Sequence, residues 1–306
     1  MKVLITGGTG LLGNALAMDF VKDGHDVIVL SRYPERMPVT PPGIRLVKWD
    51  ARTADGWGQY VDGADAIVNL VGENLSAGRW TTKRKRRILE SRVNGGRAVL
   101  QAIGAAEAKP KVLIQASAVG YYGIHKSSVL SEAEPPGDDF LAQVCQVWED
   151  STKPVETMGI RRCVIRSAVF LSPKAGVLRR FLLPFRFFIG GPLGSGRQWL
   201  PWIHLQDGAR AIRFMIENPS CSGVYNLAAP QELTNRKFAQ ALGKVMHRPA
   251  IFPVPAFLLR LLFGEMSSVI LDGQNVSVER LLKSGFTFRF PSIEPALSDL
   301  LTGSTE

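Results

Sequence analysis

Cysteine is scarce in this sequence: Cys145, Cys163 and Cys221 are the only three among 306 residues. They are odd in number and far apart, and their spacing matches neither a zinc site nor a disulfide framework. We therefore expect no metal site and no disulfide pairs. Free cysteines are typical of a reducing compartment, which favours a cytoplasmic location.

Long apolar segments are also missing. The longest candidate, VLRRFLLPFRFFIGGPLG (177–194), is interrupted by three arginines and two prolines, whereas a membrane-spanning helix needs about 20 apolar residues. At the start of the chain, KVLITGGTG has too short an apolar stretch for a signal peptide. The sequence predicts no membrane partner and shows no export signal.

Positive charge is abundant, with 37 Lys and Arg against 27 Asp and Glu and a net charge of +10. Such an excess suggests an anionic ligand, for example a cofactor that carries phosphate. The basic run TTKRKRRILESR (81–92) spreads its charges around a helix, because Lys83 and Arg87 share one face while Arg84 and Ile88 share another. We therefore expect no nucleic-acid partner.

Short β-branched runs alternate with segments of helical period through residues 1–170. KVLIT, DVIVL, IRLVKW, DAIVNLVG, KVLIQAS and RRCVIRS are interpreted as strands. Alternating strands and helices predict a parallel sheet, and strands that are apolar throughout indicate burial on both faces. The predicted fold class is α/β, a doubly wound parallel sheet of the Rossmann type.

The composition changes after Phe170. Residues 171–202 carry five glycines and four prolines without a clear period, and we interpret them as a substrate loop or lid. The helix and strand patterns in residues 203–230 return to the first domain. Residues 231–306, in which a helix pattern follows the N-cap residue Thr234, predict a small, mostly helical C-terminal domain.

The segment TGGTGLLG stands between the first strand and a helix. A phosphate needs backbone N–H groups at a helix N-terminus with no Cβ in the way, which glycines at this spacing supply. The alternative is a merely tight turn. The predicted phosphate-binding residues are Gly7, Thr9, Gly10, Leu11, Leu12 and Gly13.

The second strand ends in Ser31 and Arg32, where an acidic residue would bind the ribose 2′-hydroxyl of NAD. A planar cation suits a 2′-phosphate, so NADP is predicted and NAD is less favoured. The alternative is that Arg32 is only solvated. Asp50, after the third strand, is placed to accept a hydrogen bond from adenine, and NLVG (69–72), which includes Gly72, should pass beneath the cofactor.

TGGTGLLG, NLVGEN, ASAVGYYG and GGPLGSGRQWLPWIH together resemble the extended and atypical short-chain dehydrogenase/reductase superfamily. More narrowly, the chain is similar over nearly its whole length to epimerase family proteins of the YfcH-like group, with an epimerase/dehydratase-like domain and a small C-terminal domain. The resemblance implies NADP binding and an undefined substrate. It also implies cofactor contacts at Leu70, Val71, Arg87, Arg92 and Phe170.

The superfamily uses a tyrosine as acid/base, a lysine four residues later to lower its pKa, and a serine that polarises the substrate. The lysine matters because an ordinary phenol has a pKa near 10. In this chain the matching helix is DDFLAQVCQVWED. When Glu149 is aligned with the acidic residue usual there, Leu141 and Cys145 stand at the Tyr and Lys positions. We therefore predict that the ordinary pair is absent.

The stretch ASAVGYYGIHKSS offers substitutes. Tyr122 and Lys126 keep the four-residue spacing but lie in a segment that reads as a loop, so a relocated pair is less favoured. We predict that Ser117 polarises the substrate and that Tyr121 or Tyr122 exchanges the proton. The alternative is that the tyrosines only pack the pocket wall.

Weaker candidates for substrate contacts are Glu73, Arg197 and His204. Glu73 could instead cap a helix, and His204 could simply fix its loop. The chain is thus predicted to be an NADP-dependent oxidoreductase or epimerase acting on a small sugar-like or carbonyl compound, and a homodimer is possible. The alternative is a non-catalytic NADP-binding module that senses redox state or regulates a partner.

Overall fold

A computed structural model describes residues 1–36, 41–124 and 129–303 of the chain. The strands are β1 (Lys2–Thr6), β2 (Asp26–Ser31), β3 (Ile44–Lys48), β4 (Ala66–Asn69), β5 (Val112–Ala118), β6 (Val129–Leu130), β7 (Arg161–Ser167), β8 (Val169–Leu171), β9 (Trp202–His204), β10 (Gly223–Leu227) and β11 (Asn275–Val276). The helices are α1 (Leu11–Lys22), α2 (Thr82–Ala105), α3 (Phe140–Asp150), α4 (Gly176–Arg186), α5 (Leu205–Glu217), α6 (Asn235–Met246), α7 (Ala256–Phe263), α8 (Ser268–Leu271), α9 (Glu279–Lys283) and α10 (Ile293–Thr302).

A seven-stranded sheet in the order β10-β7-β5-β4-β1-β2-β3 forms the centre of the protein. Every pair within it is parallel. The predicted doubly wound α/β fold is therefore confirmed. The strand order reverses between β1 and β4, and ligands of such sheets bind where that reversal opens a crevice at the carboxyl ends.

Apolar side chains fill both faces of this sheet. On one face Phe20 of α1 and Met215 of α5 pack against Ile5 and its neighbours, and all three are fully buried. On the other face Val99 and Ile103 of α2 pack against strand residues. Each fully buried side chain of this size contributes roughly 1.5–3 kcal/mol, so this burial stabilises the sheet that carries the loops at its edge.

The segment interpreted as a substrate loop or lid contains helix α4, which was not predicted from the sequence. The helix forms because Leu178, Leu182 and Phe185 repeat at helical spacing and are buried on one face. They pack with side chains of α6 and α10 in a separate apolar cluster. Two prolines and the arginines on the opposite face hid this period in the sequence. Among the described residues, no helix has the length and apolar character needed to cross a membrane.

Candidate functional site

The glycine turn is built without room for side chains. Gly7 has a φ of +67°, and a Cβ on Gly13 would lie 2.6 Å from both the Gly7 carbonyl oxygen and the Gly8 Cα. The N-cap of α1 is Gly10, which offers no side-chain acceptor to the first turn of the helix. The backbone N–H groups at this helix start are therefore suited to bind an anion such as a pyrophosphate.

A buried polar chain supports this turn and was missed by the sequence analysis. The Thr6 hydroxyl donates to Asn69 Oδ1 over 2.7 Å, and the Asn69 amide donates to Gln115 Oε1 over 2.8 Å. Thr6 Oγ1 also accepts from the Leu70 N–H. These side chains tie together β1, β4 and β5 where the sheet order reverses. The sequence contains one sign of this chain of hydrogen bonds: each of the three polar residues lies inside or at the end of an otherwise apolar strand.

A cavity of about 240 Å³ opens beside the turn. It brings together residues from three loops that are distant in sequence, including the predicted Ser31 and Arg32. Three further lining residues, Leu30, Trp49 and Ala51, were not predicted. The predicted residues that line this cavity are Gly7, Thr9, Gly10, Ser31, Arg32, Leu70, Val71 and Gly72.

Asp50 does not line this cavity. Its Oδ1 accepts hydrogen bonds from the N–H groups of Arg52 and Thr53, at 2.7 and 3.0 Å, which closes a turn. Trp49 and Ala51 on either side of it face the cavity instead. One carboxylate oxygen of the expected acceptor for adenine is therefore engaged by its own loop.

Arg92 lies beneath the Gly72 backbone. Its guanidinium carbon would be 3.0 Å from a Cβ on Gly72, and it lies 4.7 Å from the centre of the Trp148 ring. Nη1 donates to the Glu73 and Ile88 carbonyl oxygens. Burial lowers the pKa of Arg92 to about 10, so the group stays charged at neutral pH. A buried positive charge thus lies under the cofactor-facing loop.

Glu73 is held by cations and is not free in the cleft. Its carboxylate lies 3.6 Å from Arg84 and 3.4 Å from Arg87, and its N–H donates to Ser91 Oγ. Glu73 therefore joins the loop after β4 to helix α2. Arg87 has its guanidinium engaged in the same ion pair.

Phe170 and Leu12 are placed apart from the cavity. Both lie close to where a Cβ on Gly208 of α5 would be, so they fill the contact between α1 and α5. Leu11 lines a groove along α1 and α5 that shares Thr9 and Gly10 with this cavity. Phe170 and Leu12 therefore support helix α1, which follows the glycine turn.

Ser117 belongs to a buried ionic network. Its hydroxyl donates to Glu149 Oε1 over 2.6 Å, and Arg166 binds both oxygens of the same carboxylate at 3.0 Å. All three side chains are buried. The Ser117 proton is therefore directed into the core of the domain.

Tyr122 continues this network and is completely buried. Its hydroxyl donates to Asn226 Oδ1 over 2.6 Å and accepts from Arg166 Nη1 at 3.2 Å. Burial raises the pKa of Tyr122 to about 12. A group that exchanges protons at neutral pH needs a lowered pKa and access to substrate, so this geometry disfavours Tyr122 and fits the packing alternative.

Tyr121 differs from its neighbour because it is only partly buried. Its ring lies edge to face with that of Tyr122, and the Arg166 guanidinium carbon is 3.3 Å from its centre. Of the two predicted tyrosines, Tyr121 is therefore the one that can meet a ligand. Lys126, the partner in the relocated pair, lies outside the described residues.

Helix α3 carries Leu141 and Cys145. Leu141 packs against the turn at Gly120, and the Cys145 thiol lies 3.7 Å from the Ala118 carbonyl oxygen. Burial raises the pKa of Cys145 to about 11. The thiol is therefore neutral at physiological pH and does not replace a lysine cation.

The last two candidates lie far from the glycine turn in sequence. Arg197 lines a second cavity of about 240 Å³, together with Gln198, Trp199 and Asp272. His204 is buried at the start of α5, where its Nδ1 accepts from the Gln206 N–H. Burial lowers the pKa of His204, whose ring stacks on Phe290. His204 therefore caps α5 and is not placed as a substrate contact.

Comparisons with known proteins agree with this architecture. Residues 3–228 match the NAD dependent epimerase/dehydratase family, and residues 254–300 match a domain of unknown function, DUF1731. The chain is 39% identical to epimerase family protein YfhF of Bacillus subtilis, over 98% of each chain. It is 37% identical to the chloroplastic SDR39U1 homolog of Arabidopsis thaliana, over 98% of this chain and 87% of the relative.

Solved structures are similar as well. The human epimerase family protein SDR39U1 (isoform 2), crystallised with NADPH, is 33% identical, with a TM-score of 0.89 over 99% of both chains. The UDP-glucose 4-epimerase of Thermus thermophilus in complex with NAD has a TM-score of 0.78 over 100% of both chains but only 17% identity, which shows a shared fold alone. From the matched family model and these relatives, the chain belongs to the NAD dependent epimerase/dehydratase family.

Proposed function

We propose that this protein binds NADP(H) and acts as an oxidoreductase or epimerase on a small carbonyl or sugar-like compound. The observation that carries the proposal is one cavity shared by the glycine turn and the Ser31–Arg32 pair. A pyrophosphate site and a cation at the end of β2 are the two requirements for a 2′-phosphorylated dinucleotide. NADPH in the human relative supports this assignment.

The residues present fit such a cofactor. The N–H groups at the start of α1 would hold the pyrophosphate, and Arg32 would bind the 2′-phosphate. Trp49 and Ala51 would flank the adenine. When bound, the cofactor supplies or accepts a hydride. The absence of a Cβ at Gly7 and Gly13 lets the turn pack closely against the Leu70 backbone and against itself.

The chain's own residues would manage charge and protons. Tyr121 is the candidate that donates or accepts the proton, because Tyr122 and Ser117 are committed to the buried network. Arg92 would supply a positive charge below the Gly72 backbone, where it also interacts electrostatically with Cys145, the residue at the superfamily lysine position. Arg197, in the second cavity, would bind an anionic or polyhydroxyl part of the substrate.

Hydride transfer tests the proposal directly. NADPH deuterated at C4 is incubated with the protein and a panel of carbonyl compounds and nucleotide sugars, and deuterium in the product is measured by mass spectrometry. We expect transfer to at least one compound, and we expect Tyr121→Phe to lose it while NADPH affinity is kept. Tyr60→Phe is the control, because Tyr60 lies beside Arg45 at the far edge of the sheet.

A second function, a non-catalytic NADP-binding module, is favoured by the engagement of Ser117 and Tyr122 in the core. Tight NADPH binding with no deuterium transfer to any compound, and no epimerised sugar formed with NADP⁺, would support this alternative. NADPH affinity no greater than NADH affinity would contradict the cofactor assignment in both functions.

A further inference from the structure

Helix α7 is apolar on almost every side and yet buries only Leu259. Phe257 is 70% exposed and Leu261 is 66% exposed. Helices that are apolar all round are normally buried in a core or a membrane. The exposed side of α7 therefore has the composition of a contact surface.

The turn after α4 has the same character. Phe187, Phe188 and Ile189 follow one another and are 67%, 53% and 58% exposed. Phe188 has a φ of +62°, which is strained for a bulky residue. Its ring is held by the Arg248 guanidinium at 4.3 Å. The fold thus maintains an apolar tip in an unfavourable backbone conformation.

Backbone hydrogen bonds hold these two regions side by side. The Phe252 N–H donates to Gly190 O at 3.1 Å, the Val254 N–H donates to Pro192 O at 2.9 Å, and the Gly194 N–H donates to Val254 O at 2.8 Å. We call residues 177–189 and 251–262 the apolar–basic face. Of the 17 large apolar side chains exposed among the described residues, 11 lie on it. Such a concentration marks an interaction site, whereas single exposed apolar residues do not.

The charge of these segments selects the partner. The apolar–basic face lies within two longer segments, residues 174–194 and 247–264, that contain no Asp or Glu. A twofold dimer would set this patch against itself and oppose like charges, which disfavours a second copy of the chain. The cations of the two segments are Lys174, Arg179, Arg180, Arg186, Arg248 and Arg260.

We propose that the apolar–basic face binds the surface of an anionic lipid bilayer. Aromatic and aliphatic side chains enter the boundary between headgroups and acyl chains, while arginines contact lipid phosphates. This proposal goes beyond the catalytic one and does not depend on it. It differs from the sequence-based expectation that the chain has no membrane partner, and it is compatible with the absence of a spanning helix among the described residues, because surface binding requires none.

Vesicle cosedimentation tests the proposal. We expect the full chain to sediment with vesicles of phosphatidylcholine and phosphatidylglycerol, to bind weakly or not at all to phosphatidylcholine alone, and to be released by salt. The double variants Phe187→Ser/Leu261→Ser and Arg179→Glu/Arg186→Glu should each bind at least about tenfold more weakly. Circular dichroism and NADPH affinity, unchanged in both, would show that the variants are folded.

The matched control is Lys48→Glu/Lys153→Glu, which makes the same change in net charge at exposed sites elsewhere. Its affinity for the anionic vesicles should stay within about twofold of that of the unchanged protein if contacts at the face, and not net charge alone, determine binding. Equal binding of the face variants and the unchanged protein would overturn the proposal, as would equal binding to neutral and anionic vesicles. Analytical ultracentrifugation measures the oligomeric state. A dimer that dissociates in Phe187→Ser/Leu261→Ser would instead show that the face is an interface between copies of the chain.

Discussion

The Ser117 hydroxyl donates a hydrogen bond to Glu149 Oε1 over 2.6 Å, and this bond directs the hydroxyl proton away from any substrate. The same carboxylate receives two hydrogen bonds from Arg166. The residue expected to polarise a substrate is thereby joined to the side chains that hold β5, α3 and β7 together. Its position at a strand end gives no sign of this, because the partners are 32 and 49 residues away in sequence.

Replacing Glu149 tests how far the buried pair stabilises the fold. Glu149→Gln leaves the Arg166 charge without its partner in the core, and we expect the free energy of unfolding to fall by about 3 kcal/mol. Urea denaturation followed by circular dichroism measures the change. Glu294→Gln, which removes an exposed pair with Lys244, should change it by less than about 1 kcal/mol. Equal effects of the two variants would contradict a structural role for the network.

Removing the Arg32 cation should change cofactor preference. We expect Arg32→Ala to weaken NADPH binding about 10- to 100-fold, since charge-assisted bonds to a phosphate contribute roughly 1.5–3 kcal/mol. NADH affinity should stay nearly the same. Isothermal titration with both nucleotides measures the ratio, and Arg52→Ala in the next loop serves as control. An unchanged ratio would mean that Arg32 is merely solvated.

A methyl group at Gly13 should block the turn. Gly13→Ala places a Cβ 2.6 Å from the Gly7 oxygen, so the helix start must move and nucleotide binding should be lost. Gly104→Ala on α2 is the control, because its Cβ meets only the Met158 methyl at 3.8 Å and alanine favours a helix. Fluorescence titration with NADPH compares the two. Normal binding by Gly13→Ala would exclude this turn as the pyrophosphate site.

The two adjacent tyrosines should respond differently to loss of the hydroxyl. Tyr122→Phe removes the hydroxyl that accepts from Arg166 and donates to Asn226 Oδ1, and it should lower the free energy of unfolding by about 1–3 kcal/mol. Tyr121→Phe should leave stability almost unchanged and affect turnover alone. Thermal unfolding of the two variants, measured beside deuterium transfer, separates the roles. The reverse pattern would return Tyr122 to the active site.

Stability should fall in mild acid because of His204. Burial lowers the pKa of His204 in the folded state, so the unfolded chain binds the proton more readily. The stabilisation is present above the ordinary histidine pKa of about 6.5 and is lost as the pH drops below it, by at most about 1.4 kcal/mol per pH unit. His204→Asn keeps an N-cap residue and should flatten this slope. Urea denaturation between neutral and mildly acidic pH measures both slopes, and identical slopes would contradict the assignment.

The sequence by itself determined the central sheet and its crevice. Apolar strands such as KVLIT and the glycine spacing at Gly7 and Gly13 are local signals, because each reports burial or backbone geometry within a few residues. The same holds for Ser31 and Arg32, whose place at a strand end follows from chain order in a parallel sheet. Helix α4 was missed because its apolar period spans only three buried residues and Pro184 stands inside the helix.

Only the tertiary structure decided which candidates are free to act. Three candidates have the chemistry of active-site residues but are buried and bonded within the fold. Ser117 donates to Glu149, Tyr122 donates to Asn226, and His204 caps α5. A hydrogen bond between residues more than 30 positions apart leaves no local pattern, since it depends on which strands lie next to each other. The apolar–basic face has the same origin: its residues look like core residues in sequence, and only the packed fold leaves them on the surface.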